Sequence, residues 1–494
     1  MTTPFQLRGW FATLFLTDMW ERFGFYGMQA ILVLFAVAPV DDGGLGLPAG
    51  DASALFAAHL GLSFLAALPG GWLGDRVLGQ QRAIALGTLV LAAGYLALSV
   101  GPAWCTALGL FLTVCGAGLF KPNQQALVNT LCGADSGRRE AAISMFYVGI
   151  QISALASPLI CGFLGERVDW RLGFAASGVA MLIGAVQFAA GRGHFGAVGA
   201  EPHRPLTADQ RRRTARRSGA VAGVVALLVA AGAVAGALSA QRLIIVVGLL
   251  TLVLPAGCYL LLARNPQLTA GERRRLRPML WIFLGSGLFW MLVAQASSVL
   301  NIFAKDHTDR DVLGFTLPAS WLQSATPLGI LVLAPVLAWS LPRLGARAGA
   351  PVKFGVGLLL AGASFLVMAV AASLAVGGER VSVLWLLVVY ALHACGELVI
   401  AAVGISTTAD VVSPAFLGQT LGVYWLFAAL GGGLGSGLVR LVDVLPDQVY
   451  YLALGSLATA VGVLFLGRRK RITTLLRAAP APAETVSSAA RPGR

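Results

Sequence analysis

Five ionisable side chains stand in stretches otherwise apolar enough to lie in lipid: Asp18, Glu21, Arg22, Lys121 and Glu397. A charge at mid-bilayer costs about 2.5–3.5 kcal/mol on insertion scales, so such residues face a protein interior or water and point to function. On a helix Asp18, Glu21, Arg22 and Phe25 fall at i, i+3, i+4 and i+7, which puts them on one face. Lys121 follows the glycine-rich CGAGLF and precedes Pro122, which removes a backbone donor and loosens the next turn. Glu397 sits beside a glycine in HACGELVI, and its own apolar stretch supplies no cation. Paired charges can simply pin helices together. The alternative is a ligand site, with Arg22 and Lys121 as a positive pole and Glu397 as a negative one. A zwitterion carrying carboxylate and ammonium would bridge them, since Arg offers a bidentate fork and Lys a point charge. Glu21 compensates Arg22 when the ligand is away, and Glu21 and Glu397 are the candidates to exchange protons. Hydrolysis would need a converging nucleophile, base and oxyanion site. The Ser and Cys positions have no His to serve them and His393 stands alone, so no enzyme is expected.

The elements that must carry these residues are membrane helices. The 494 residues are 57% hydrophobic and only 12% charged, whereas a soluble chain is about a quarter charged. Apolar runs of about twenty residues recur, the length of a helical span. They lack the alternation of barrel strands. The sixty-one glycines suit helices that approach closely in lipid. Spans are expected at about 10–40, 52–74, 82–101, 103–131, 141–165, 170–190, 219–240, 243–263, 279–304, 319–341, 353–376, 383–408, 414–439 and 449–467.

The net charge of +14 does not imply nucleic acid. With the N-terminus inside, 27 of the 36 Lys and Arg residues fall on cytoplasmic segments, 7 outside and 2 within spans, the positive-inside pattern. No aromatic residues are interleaved among them for base stacking. The six cysteines lie in or beside spans without ligand spacing, so neither disulfides nor a metal site is expected. No cleavable leader is expected, because the first apolar run is long and charged.

Six spans precede the basic 192–217 segment and six follow the basic 264–277 segment. The expected organisation is a bundle over 1–191, a linker over 192–278 carrying two inserted helices, a second bundle over 279–467, and a basic disordered cytoplasmic tail over 468–494. Paired repeats place substrate at the midplane between the halves. The inserted pair is expected to face lipid.

The motifs then fall into an order that resembles a family. DMWERFGFYGMQAIL resembles the first-helix signature, Glu-x-x-Glu-Arg-Phe-x-Tyr-Tyr, of the proton-coupled oligopeptide transporters of the major facilitator superfamily. GGWLGDRVLGQQR, around Asp75 and Arg76, is similar to the superfamily's loop motif. GLFKPNQQALVNTL, FYVGIQISALASPLICG and the GEL at 396–398 resemble the fourth-, fifth- and tenth-helix motifs. The likeness runs from about residue 8 to 467. It implies the major facilitator fold, fourteen transmembrane helices with the inserted hairpin, and proton-driven import of di- and tripeptides by alternating access. No cofactor is implied, and the expected setting is a monomer in a bacterial-type inner membrane with both termini cytoplasmic. Another small solute such as nitrate or a modified peptide, or a non-transporting sensor, are the rival readings.

Residue by residue, the resemblance implies proton coupling by Glu21 with Arg22, joined by Asp18 and Glu397. Arg22 and Lys121 would face the peptide carboxylate and Glu397 its amine. Tyr26, Phe25, Phe64, Gln151, Trp290, Thr326 and Trp425 (or its neighbour Tyr424) would complete the pocket. Several of these depart from the family pattern. Asp18 replaces a glutamate, Phe25 and Phe64 replace tyrosines, and Gln151 and Thr326 stand where asparagines are usual. His59 is two positions from the histidine of animal members and carries no coupling role. The family's outer gate pairs an arginine with an acid, and here those places hold Gln29 and Ala294. Losing one partner would strand a buried charge, whereas losing both does not. Outer closure is therefore expected to rest on packing and neutral hydrogen bonds.

Overall fold

A computed structural model describes residues 9–133, 136–203, 205–234, 240–340, 349–409 and 414–477. The first six helices are α1 (Gly9–Val37), α2 (Ala49–Leu73), α3 (Gln80–Leu98), α4 (Ala103–Cys132), α5 (Ser136–Arg167) and α6 (Trp170–Gly191). The middle of the chain forms α7 (Ala208–Val234) and α8 (Ala240–Ala263). Then come α9 (Ala270–Val293), α10 (Val299–Asp306), α11 (Ala325–Ser340), α12 (Ala350–Leu374), α13 (Leu384–Ala409), α14 (Pro414–Leu438), α15 (Asp447–Gly467) and α16 (Arg469–Arg477). Each expected span overlaps one of these helices, the ninth α9 and α10 together and the tenth a 3-10 turn at Ala319–Ser324 followed by α11, while 235–239 of the seventh and 341 of the tenth lie outside the described residues. Among the described residues, nine helical stretches are long and apolar enough to cross a membrane by length and composition. The protein is a multi-pass helical membrane protein.

Burial follows from a solvent that is apolar on the outside. One core gathers Phe11, Tyr95, Phe120, Phe174 and Phe188 from α1–α6, and another gathers Phe283, Phe289, Phe365, Tyr390 and Tyr451 from α9–α15. Trp104, Phe111, Val186 and Leu261 are exposed, as lipid-facing side chains would be. With lipid outside there is little hydrophobic drive between helices, so close packing does the work. At the α12–α15 crossing a Cβ on Gly362 would come within 3.0 Å of the Gly455 carbonyl, and the reverse holds at Gly455. Only glycines let the two backbones meet there.

Three features differ from the sequence expectation. α7 begins at Ala208, inside the stretch expected to be linker. α16 forms where a disordered tail was expected. Ile472 and Leu476, one turn apart, pack onto the core beside α9 and α12, and that apolar stripe orders the basic segment. Residues 478–494 lie outside the described residues. The inserted α8 also does more than face lipid. One side packs on α14 and α2, so it lies along a seam between the first and last helix groups. Its Tyr259 hydroxyl donates to the Leu276 carbonyl at 3.1 Å, and Thr251 fills the space left by Gly61 of α2.

Opposite the basic segments, the first and last helix groups are joined by hydrogen bonds. Gln29 Nε2 donates to Ser297 Oγ at 3.0 Å, and Ser297 Oγ donates to Gln323 Oε1 at 2.6 Å. The Ala30 carbonyl accepts from Asn301 at 2.8 Å and from Gln323 at 3.2 Å. This centre is neutral, as the Gln29 and Ala294 positions lead one to expect. The edges are not, which corrects the expectation. Arg440 Nη2 lies 3.1 Å from Asp51, and Asp443 accepts from the Gly50 amide at 3.0 Å. The Glu166 carboxylate of α5 accepts from the Ala319 and Ser320 amides at 2.8 and 2.9 Å. Asp51 and Arg440 are partly exposed. Charge is cheaper at a wet rim than in the buried centre.

One hydrogen bond is worth about 0.5–1.5 kcal/mol net. Gln29→Ala should therefore shift the population toward opening on this face by roughly two- to tenfold. Spin labels on the exposed Val40 and Leu313 would report it as a longer distance component. An unchanged distance distribution would show that the Gln29–Ser297–Gln323 chain bears no part of the closure.

Candidate functional site

α1 is seated before it is functional. Gly24 leaves room for the Tyr95 ring, which a Cβ would meet at 2.8 Å. Ser153 of α5 donates to the Met19 carbonyl at 2.8 Å, fixing α5 on α1 one turn from the charged face. On that face Asp18 and Glu21 are buried. Glu21 and Arg22 are sequence neighbours, whose side chains diverge on a helix, so Arg22 must curl back. It does, donating from Nε to Oε2 and from Nη2 to Oε1, each at 2.6 Å. Its guanidinium also lies over Phe25 at 4.7 Å and Tyr26 at 5.8 Å from the ring centroids.

α4 brings the second cation. Pro122 has no N–H, so the Gly118 carbonyl one turn back loses its usual helical partner. Beside that carbonyl runs Gly70 of α2, where any Cβ would collide with it. Asn123 then ties the two helices by donating to the Gly70 carbonyl at 3.0 Å and to the Leu119 carbonyl at 2.7 Å. Lys121, held on this locked turn, places Nζ 3.5 Å from Glu21 and 3.8 Å from Asp18. The four side chains carry two negative and two positive charges. In this structure the expected positive pole is therefore masked by its own carboxylates.

Glu397 on α13 is the counterpart. It is half-buried and, among the described residues, makes no ion pair. Gln151 of α5 lies within hydrogen-bonding reach of its carboxylate, and Tyr26 and Tyr147 lie near enough to feel its charge. Tyr147 was not singled out from the sequence, although it stands four residues before Gln151 and so on the same helix face. α1, α5 and α13 thus converge on Glu397.

The other expected residues sort by what they touch. Trp425 is half-buried, whereas Tyr424 is sealed in the core beside Phe283. Of that pair, Trp425 is the ring free to line a cavity. Trp290 stands edge-on to Phe289 at 5.6 Å, with the Tyr424 hydroxyl close to its ring nitrogen. Phe64 is half-buried on α2. Thr326 turns to α13, donating to the Tyr390 carbonyl at 3.4 Å, and is not brought to the charged groups. His59 is buried in α2 with Nδ1 unpartnered, apart from the cluster.

Comparison with known proteins gives a consistent picture. A sequence model of the POT family matches residues 81–452. The di-/tripeptide transporter of Lactococcus lactis subsp. cremoris is 31% identical over 94% of this chain and 95% of its own length. A peptide transporter of Yersinia enterocolitica is 35% identical over 88% and 87% of the two chains. A crystal structure of the peptide transporter POT in complex with sulfate superposes with a TM-score of 0.91 at 35% identity, covering 96% of this chain and 97% of that one. A POT family transporter in complex with 5-aminolevulinic acid superposes at 0.89 with 28% identity, over 94% and 96%.

The quartet predicts a specific response. Breaking a buried ion pair from one side costs about 3–5 kcal/mol, so Glu21→Gln should lower the melting temperature of purified protein by several degrees. Acetate should then restore part of the loss in the variant and do little for the wild type. Equal acetate effects on both would show that Glu21 does not mask the cations.

Proposed function

The chain belongs to the POT family, and on that premise we propose that it is a proton-coupled symporter importing di- and tripeptides by alternating access. The single observation that carries this reading is the opposition between a self-neutralised cluster on α1 and α4 and an unpaired carboxylate on α13. A peptide presents the complement, a carboxylate at one end and an ammonium at the other.

The coupling follows from charge balance. When a proton binds Glu21, the Arg22 fork and Lys121 lose a counter-ion, and the peptide carboxylate replaces it. The ammonium end then meets Glu397, where Gln151, Tyr26 and Tyr147 supply hydrogen bonds. Phe25, Phe64, Trp290 and Trp425 offer tolerant aromatic walls for variable side chains. Release of the proton restores the Glu21–Arg22 pair and expels the carboxylate. Thr326 acts from a distance, by holding α13.

Residues 1–191 and 279–467 are the two units that rock, with 192–278 as linker and rider. The basic segments would face the cytoplasm of a bacterial-type inner membrane, with both termini inside and the outer closure on the far side. The protein would work as a monomer, driven by the proton gradient without a cofactor. One charge moved across 100 mV gains about 2.3 kcal/mol. The rival of a different solute on the same fold keeps the zwitterion in view, because Glu397 asks for an amine.

Labelled dialanine should accumulate in proteoliposomes under an imposed proton gradient and not without one. Gradient-independent accumulation, or no uptake of any dipeptide, would sink the reading. Glu397→Gln should weaken binding of free-amine dipeptides at least tenfold and leave N-acetylated ones nearly unaffected. Equal losses would show that Glu397 does not read the amine.

A further inference from the structure

We propose that His393 relays protons to Glu397 through the interior of the α9–α15 group, along a path separate from the one the peptide takes. The inference rests on the transport reading above and adds to it a second coupling proton, taken by Glu397 before the peptide amine arrives and released as it binds, beside the one on Glu21. Tyr390, His393 and Glu397 fall at i, i+3 and i+7 of α13, so they form a file along one face. Successive members of that file are helical neighbours, with Cβ atoms about 5–6 Å apart. Tyr390 lies toward the face where α13 begins after Val381–Ser382, and Glu397 lies at mid-membrane depth.

His393 has no packing reason to be histidine. It is fully buried, and both ring nitrogens lack a hydrogen-bond partner. The Tyr390 hydroxyl beside it is buried and unpartnered as well. Leaving a buried polar group unsatisfied costs about 1–3 kcal/mol. A phenyl ring would fill the same space, 6.2 Å from Phe365 and 6.3 Å from Tyr390, without that cost. Three unsatisfied polar atoms in line with a carboxylate are what a relay requires. Each must be free to donate at one moment and accept at another.

The surroundings leave few competitors. α12 presents Phe365 and Ser364, and the Ser364 hydroxyl is already turned to the Ala361 carbonyl. α15 presents Tyr451 across Phe365, α11 presents Thr326 and α9 presents Phe289 near Gly396, whereas α14 meets α13 about three turns further on, where Tyr424 lies against Gly404. Among the described residues, the titratable groups around His393 are Tyr390, Cys395 and Glu397 on α13 and Tyr451 across Phe365, and no cation faces it. In the step itself, a neutral imidazole takes a proton on its lone-pair nitrogen. It releases the proton of the other nitrogen to a Glu397 oxygen. The ring returns neutral as the other tautomer, and the carboxylate becomes the acid. The proton comes from the gradient that drives transport.

The test uses the full chain in proteoliposomes, with two variants, His393→Phe and His393→Gln. Dialanine exchange without a gradient needs no net proton movement, whereas gradient-driven uptake does. Both variants should keep exchange within twofold of wild type. Both should lose at least tenfold in driven uptake, and in the peptide-dependent acidification read by a trapped pH dye. Driven uptake within twofold of wild type would overturn the relay. So would equal losses of exchange and driven uptake, or failure of both variants to fold, since each makes the imidazole structural. A wild type that neither exchanges nor accumulates dialanine would instead remove the transport reading, and the two failures are distinguishable.

Discussion

A charge that enters the membrane interior must bring its counter-charge with it, and the arrangement of α1, α2, α4 and α5 follows from that requirement. Glu21 is held by Arg22 through two bonds of 2.6 Å and approached by Lys121 at 3.5 Å. The Lys121 contact does not survive if α4 moves away from α1. α4 is therefore locked to α2 where Gly70 meets the Gly118 carbonyl and Asn123 bridges them. α1 is locked to α5 by Ser153. Desolvating two acids and two bases is tolerable only as a neutral set in good geometry. The packing of α1, α2, α4 and α5 supplies that geometry.

Glu397 obeys the same rule in the negative. Among the described residues it has no cation of its own, so it depends on hydrogen-bonding groups from the opposite helix group and on water or ligand from the space between. Gln151 reaches it from α5, which is also the helix that Ser153 pins to α1. The two charged centres are therefore not independent. Any displacement of α5 changes both the seating of the quartet and the company of Glu397.

The helices were legible because the bilayer imposes one length and one polarity on every span, and the ionisable residues were legible because they violate it. The α1 face could be drawn from spacing alone, and so could the choice of Lys121 and Glu397. Three things were not legible. The curl of Arg22 back onto its neighbour is a rotamer choice made by the surrounding rings of Phe25 and Tyr26. Thr326, Trp425 and Tyr424 are ordinary residues whose direction is set by packing against other helices. The contacts at the rim, such as Glu166 with the Ala319 and Ser320 amides, join positions more than 150 residues apart. No local pattern announces them. Ordering of α16 escaped notice for a related reason: Ile472 and Leu476 mean little until a core lies beneath them.

The neutral centre of the closure opposite the basic segments has a consequence for the setting in which the protein works. Dissolved ions screen interactions between exposed charges within about 10 Å at 0.1 M and about 3 Å at 1 M. An arginine–acid gate near the surface would thus weaken as the medium grew saltier. The Gln29–Ser297–Gln323 chain carries no net charge for ions to screen, whereas the charged rim contacts, among them Asp51 with Arg440 and Glu166 with its amides, remain sensitive. The centre of that closure is accordingly indifferent to the ionic strength of the medium it meets. A change of salt in the surroundings would then move the conformational balance only through the rim.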